Sequence, residues 1–421
     1  MRPSRFGWLG LAGSIAIGPQ TALSQLRTKS AGYLSLAQRA FYPDDNDATE
    51  DFGLTLEGQL EFKAKTGGWR QQLEVFGRAA GLDQDRSIVF AKEAWIGYSN
   101  AYLALRLGAQ VLNWTATEAF HPSDIINARN LDSHIENAEK IGEPMATLRV
   151  RILDGGVTGY FMPIRMTPRL PGPASRLNLT RGQSVGDALF ANDDNHIDDD
   201  LFAAQWAVRA DQTIEAADIA LYVVQHQDRT QPGVVVDVAT LTARPLFAWV
   251  QRIGGTYTHA LGDWLIKLEV DHRRFSRPTP SGQYLTVQSL PVDHTAVASG
   301  VEWGWGYESG AEGTIIAEAQ IAIAPDASEL ERAMLGPFQR DVLVGYRHAS
   351  NDEDSTEWNI GVIIDAESPD EILGNASYTR RIDETWVVKT AARFIYAKDE
   401  SSLLHSLHNA HALNLDLIRY F

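Results

Sequence analysis

Cysteine is absent from the 421 residues. That excludes a disulfide framework and thiolate metal sites, and it suits export through an oxidising compartment. Beyond the amino terminus, no run approaches the roughly 18 to 20 apolar residues of a transmembrane helix. No stretch rich in Pro, Gly or Ser divides the chain, although its length would allow more than one soluble domain. Basic charge is short: 37 Lys+Arg stand against 54 Asp+Glu, a net charge of -17. Nucleic acid is therefore excluded as a partner class, because a phosphate backbone rewards the opposite sign.

What is present begins with Arg2 and Arg5, an apolar stretch from Phe6 to Ile17, and Ala22-Leu23-Ser24 ahead of Gln25. Residues 1–24 read as a secretion signal, too short and too Gly-rich to span a bilayer. The remainder, 25–421, is then a soluble periplasmic protein or one that crosses a membrane as strands.

Alternation decides between these. Leu54, Leu56, Leu60 and Phe62 share one side of their segment, opposite Thr55, Glu57, Gln59, Glu61 and Lys63. Trp264, Ile266, Leu268 and Val270 likewise oppose Lys267, Glu269, Asp271 and Arg273. At the carboxyl end, Leu413, Leu415, Leu417 and Phe421 face away from Asn414 and Asp416. One such strand fits a half-exposed soluble sheet; many in sequence, each about 10 residues long, signify a transmembrane barrel with a wet lumen.

Strands are expected at 30–42, 52–65, 69–79, 87–98, 101–112, 144–153, 156–164, 201–210, 215–228, 245–258, 261–275, 294–307, 312–324, 338–349, 356–366, 371–382, 385–397 and 409–421. The total is about 18, even as in bacterial single-chain barrels. Short turns alternate with long connections, as a barrel with periplasmic turns and outer loops requires. The turns include Ser99-Asn100, Asp211 to Ile214 and Leu261-Gly262. The long connections are 113–143, 165–200, 229–244, 276–293, 325–337 and 398–408. Trp303, Trp305, Tyr307, Trp358 and Trp386 border predicted turns, consistent with an interfacial aromatic girdle. The fold expected is all-β: a transmembrane antiparallel barrel with its third outer loop folded inward.

That loop, 113–143, holds Trp114, Phe120, Ile125, Ile126, Leu131 and Ile135, which a solvated loop would not need. Its Glu118, Asp124 and Asp132, with Arg129 among them, would face Arg106, Arg149 and Arg151 of the flanking strands, whose neighbours Leu105, Leu107, Leu148 and Val150 point outward. Opposed charges across a constriction, focused by low-dielectric walls, discriminate solutes by charge and size. Equally, these arginines pair with the loop carboxylates simply to hold it.

Other clusters are weaker. His121 and His134 match no zinc spacing, and Asp193 to Asp200 lacks the Gly and terminal Glu of a calcium loop. Asp44, Asp45, Asp47, Glu50 and Asp51 form a similar acidic tip. Ser401, Ser402 and Ser406 near His405 and His408 lack any nucleophile motif. Neither an enzyme nor a resident metal or cofactor is expected.

Leu105 to Val111, followed by Trp114, Asp124, Asn127, Arg129, Leu131 and Asp132, resembles a widespread family of functionally uncharacterised proteobacterial outer-membrane proteins. There a Gly/Arg-rich strand leads into Trp-Gly, an Asp, Asn-Pro-Arg-Asp and a Leu. This chain has Thr115 in place of the Gly, Ala128 of the Pro and Asn130 of the Asp. The resemblance implies a barrel in the Gram-negative outer membrane; more broadly, the chain looks similar to porins of 18 strands and to an alginate-export barrel.

Passive transport of small polar or charged solutes is the activity expected, with a channel for hydrophobic or lipid-like molecules, or a plugged receptor barrel, as alternatives. The partners expected are outer-membrane lipids and the barrel-assembly machinery, the latter through the strand ending at Phe421.

Overall fold

A computed structural model describes residues 26–421 except 44–48, 134–137, 179–184, 195, 279–281, 334, 337 and 401. The expected signal at 1–24 lies outside the described residues, as do Asp44, Asp45, Asp47, His134, Ile135, Asn195 and Ser401.

Eighteen strands form one sheet. They are β1 (Arg27–Tyr42), β2 (Phe52–Thr66), β3 (Trp69–Ala80), β4 (Ile88–Ser99), β5 (Leu103–Gln110) and β6 (Glu143–Ile152). Next come β7 (Gly155–Ile164), β8 (Phe202–Ile214), β9 (Ala217–Gln227), β10 (Trp249–Leu261), β11 (Trp264–Phe275) and β12 (His294–Gly306). The last six are β13 (Glu312–Ile323), β14 (Arg340–Ala349), β15 (Glu357–Asp365), β16 (Glu371–Arg381), β17 (Trp386–Ala397) and β18 (His411–Tyr420). Each pairs antiparallel with its neighbours in sequence, and β1 closes the ring against β18 from Tyr33↔Tyr420 to Tyr42↔His411. Phe421 and Gly32 extend that seam by exchanging backbone hydrogen bonds, each 3.0 Å long. Closure leaves no unpaired edge, the only way strands can lie in hydrocarbon.

The alternation read from the sequence becomes an inside and an outside. Leu56, Leu60, Leu221, Ile253 and Leu413 stand exposed on the outer face, 54% to 64% accessible. An apolar band that encircles a barrel needs a bilayer, not water, around it. Aromatic pairs collect at the short-turn end: Trp69 with Tyr98 at 5.4 Å, Trp264 with Trp303 at 5.8 Å and Trp358 with Tyr378 at 4.4 Å. Inside, charged side chains are buried in pairs. Arg252 of β10 reaches Asp228 at 2.6 Å and Asp271 of β11 at 3.1 Å. Glu143 of β6 takes Arg229 at 2.6 Å.

Two expectations need correction. The turn placed at Asp211 to Ile214 lies instead at Glu215 and Ala216, since Ile214 still pairs with Ala217 and Glu215 takes a φ of 54°. Polar residues there mimic a turn because Asp211 faces inward to Arg149 while Gln212 lies two residues from the end of β8. Second, the connections 165–200, 229–244 and 276–293 contribute to a five-stranded sheet of their own. Its members are Leu189–Ala191, Ile197–Asp198, Gly233–Asp237, Thr242–Phe247 and Tyr284–Gln288. Thr242–Phe247 takes the residues expected to open β10, which starts only at Trp249.

Candidate functional site

Segment 113–143 carries apolar residues that a free loop would not, and Trp114, Phe120, Ile125 and Ile126 are buried. Trp114, Ile125 and Ile126 are buried with Met162, Tyr222 and Val224. Phe120 is buried with Leu343, Ile363, Leu373 and Ile395. Burial of such side chains stabilises by about 1.5–3 kcal/mol each, which offsets the entropy of ordering a long connection.

The polar anchors are sharper. Glu269 of β11 accepts hydrogen bonds from the backbone N–H of Thr117 at 2.9 Å and of Ser123 at 2.9 Å. The same carboxylate takes the hydroxyls of Thr115 at 2.9 Å and Thr117 at 2.8 Å. Glu318 of β13 accepts from the N–H of Glu118 at 2.6 Å and of Ala119 at 2.9 Å. Across the barrel, Arg39 of β1 donates to the Ser133 carbonyl at 2.8 Å, and Arg78 of β3 joins Glu57 at 2.6 Å to Glu139 at 2.7 Å. The base of the segment is closed by Asn127, which accepts from Leu112 N–H at 2.8 Å and donates to the carbonyls of Gln110 at 2.8 Å and Ile141 at 3.0 Å. Charge-assisted bonds to backbone N–H groups are about twice as strong as neutral ones, so the segment is pinned from opposite walls.

The residues singled out from the sequence distribute as follows. Glu118 is half exposed and accepts from Lys267 of β11 at 2.8 Å. Asp124 is taken by Arg129 at 2.5 Å and Lys140 at 2.6 Å, all within the segment. Asp132 accepts from the Ser175 hydroxyl at 2.6 Å and has Arg86 at 4.0 Å. Arg149 makes a bidentate pair with Asp211 of β8, both bonds 2.6 Å. Arg151 bonds the Asn100 carbonyl and the Ser99 hydroxyl beside the turn between β4 and β5. Arg106 lies over the Trp95 ring at 4.6 Å.

The structure thus brings Glu118, Asp124, Arg129 and Asp132 into one segment but does not bring Arg106, Arg149 and Arg151 to their carboxylates. The reason is distance along the strand. Segment 113–143 meets β6 at Glu143, and Arg149 lies six residues, roughly 20 Å, further toward the turns. The cations and carboxylates that do hold the segment, Arg39, Arg78, Lys267, Glu269 and Glu318, escaped sequence reading. Lys267 and Glu269 were visible as one polar face, but nothing in spacing could join them to positions about 150 residues earlier.

Burial tunes the groups of the outer connections. It raises the Asp132 carboxyl and lowers the Lys140 ammonium. Glu50 is pushed up to about 7, first by burial and then by Asp83 and Asp132, against the opposing pull of Arg86.

A closed antiparallel ring of eighteen strands, apolar outside and charged inside, defines a porin-like transmembrane β-barrel. Among solved structures the chain is similar to Acinetobacter baumannii OccAB1, with 8% identity over 94% of this chain and 96% of that one, at a TM-score of 0.53. It is similar also to Pseudomonas aeruginosa OccK3 (OpdO), with 12% identity over 95% and 97%, at a TM-score of 0.52. At such identities the likeness shows the barrel fold. No protein-family model matches the chain, and no curated protein sequence does.

Proposed function

We propose that the protein is an outer-membrane diffusion channel for small polar or charged solutes, with segment 113–143 folded inward as its constriction. The observation that carries this reading is the anchoring of that segment: Glu269 and Glu318 hold its backbone from one wall while Arg39 and Arg78 hold it from the other. A long connection fixed at both sides narrows the lumen it crosses. Arg106 keeps its charge accessible and sets the preference of the pore together with the half-exposed Glu118–Lys267 pair, whereas Arg149, Asp124, Arg129 and Asp132 are spent on pairing. The setting is the outer membrane of a Gram-negative bacterium, reached through the assembly machinery that reads the strand ending at Phe421.

Planar-bilayer recording of the purified protein under a salt gradient tests the proposal. Steady openings with a charge preference support it; a barrel that never conducts would sink it.

A further inference from the structure

The lumen wall from β14 to β17 carries an apolar row. Leu343 opposes Ile363, Ile363 opposes Leu373 and Leu373 opposes Ile395, and all four side chains are buried. Two positions nearer the short turns, the same face presents Gly345 opposite Gly361, Gly361 opposite Asn375 and Asn375 opposite Arg393. The two glycines contribute no side chain, so a hollow opens beneath the row. Its cavity, about 400 Å³, lies between Phe338, Leu343, Ile363 and Leu373 on one side and Glu118 of segment 113–143 on the other.

A second cavity of about 230 Å³ adjoins it, and Asn375 lines both. Four cations border this one, Arg39, Arg86, Lys389 and Arg393, against two carboxylates, Glu57 and Asp416. Glu57 is already held by Arg78 at 2.6 Å, and Arg39 spends its donors on the neutral Asn414 side chain and Ser133 carbonyl. Lys389 stands exposed on the wall. A hollow with one apolar wall, and with Glu118 and Arg347 at its polar side, therefore meets a cation-rich chamber at one residue.

The geometry points to a binding site for an amphipathic organic anion, its hydrocarbon chain against Leu343, Ile363 and Leu373 and its anionic head toward Lys389 and Arg393. The pairing follows the usual build of ligand pockets, a mainly apolar hollow with a few polar groups that fix orientation. Hydrophobic burial scales with chain length, so a chain of roughly eight carbons gains what a two-carbon anion cannot. This inference names a solute class for the channel proposed above and rests on that reading.

Titration calorimetry of the full folded chain in detergent, with octanoate and acetate as probes and detergent-only blanks subtracted, tests it. Octanoate saturates a single site at least tenfold more tightly than acetate. Gly345→Leu, which fills the hollow from its floor, removes that advantage, and Lys389→Gln weakens octanoate several-fold. Equal affinities for the two anions, or an octanoate advantage that survives Gly345→Leu, overturn the site. Should Gly345→Leu fail to fold, octanoate binding indifferent to Lys389→Gln marks mere partition and overturns it as well. Bilayer conductance of the same preparation reads the channel separately: a non-conducting barrel removes the transport reading, while the calorimetry alone decides the site.

Discussion

The carboxylate of Glu269 on β11 accepts both the backbone N–H and the hydroxyl of Thr117, at 2.9 Å and 2.8 Å, across a separation of 152 residues. No water reaches this pair, since Glu269 is fully buried and Thr117 nearly so. A buried carboxylate is tolerable here because each of its oxygens accepts from a donor. Removing it strands several donors at once. Glu269→Ala is expected to lower stability by about 2–4 kcal/mol, to raise single-channel conductance and to open segment 113–143 to protease. Urea unfolding in lipid, conductance recording and limited proteolysis check the three effects; unchanged conductance would count against a constriction held from β11.

Selectivity separates two arginines that look alike in sequence. Arg106 stacks on Trp95 with no carboxylate paired to it among the described residues, whereas Arg149 is paired with Asp211. Arg106→Ala is therefore expected to move the reversal potential toward cations. Arg149→Ala alone leaves Asp211 with only the longer Arg209 contact at 3.8 Å and moves the potential the same way. The double change Arg149→Ala with Asp211→Ala removes a neutral pair and leaves the potential near wild type. A double variant that shifts as far as Arg106→Ala defeats this assignment.

These cases show where legibility ends. The lipid-facing alternation of Leu54 to Phe62 and of Leu413 to Leu417 located every barrel strand, because a bilayer outside and water inside impose a period of two. The same sequence hid the turn at Glu215, since residues near the end of β8 are polar yet still paired with β9. It hid the small sheet around Val235 and Leu246 too, whose strands are short and buried among loops. The buried apolar residues of segment 113–143 marked it for packing, yet its anchors could not be found. Pairs such as Glu269 with Thr117 depend on which strands face each other across the lumen, and alternation carries no information on that.

Glu50 gives the outer connections a pH dependence. Its carboxyl is raised from 4.5 to about 7 by burial, with Asp83 and Asp132 adding repulsion and Arg86 opposing. A raised carboxyl means that the fold favours the protonated form, so its stabilising contribution is complete below about 4.5 and is lost as pH climbs to about 7. The neighbouring strap, in which Glu50 N–H donates to the Ala174 carbonyl at 2.9 Å, is expected to loosen across that window. Glu50→Gln should weaken the pH dependence of loop proteolysis and unfolding there. A wild-type profile that is flat from pH 4.5 to 7, or one unaltered by the change, contradicts this placement.

Gly108 marks the place where β5 leaves no room for any other residue. Its φ is 129°, and a Cβ built there would lie 2.2 Å from the Ala94 carbonyl oxygen and 2.8 Å from the Trp95 Cα. The first value alone is a strained region for an L residue, and the second is a collision with backbone that cannot rotate away. Because Gly108 opposes Trp95 and Met145, relief requires β4 or β6 to shift, which breaks the ladder that carries Arg106 and leads into segment 113–143. Gly108→Ala is expected to cost about 3 kcal/mol or more and to reduce the heat-modifiable folded band on gels. Gly306 supplies the control: nothing lies within 4 Å of its added Cβ, so Gly306→Ala should fold as the wild type does. If Gly108→Ala matches that control in urea unfolding, the tight crossing of β4, β5 and β6 is not what positions the segment that follows.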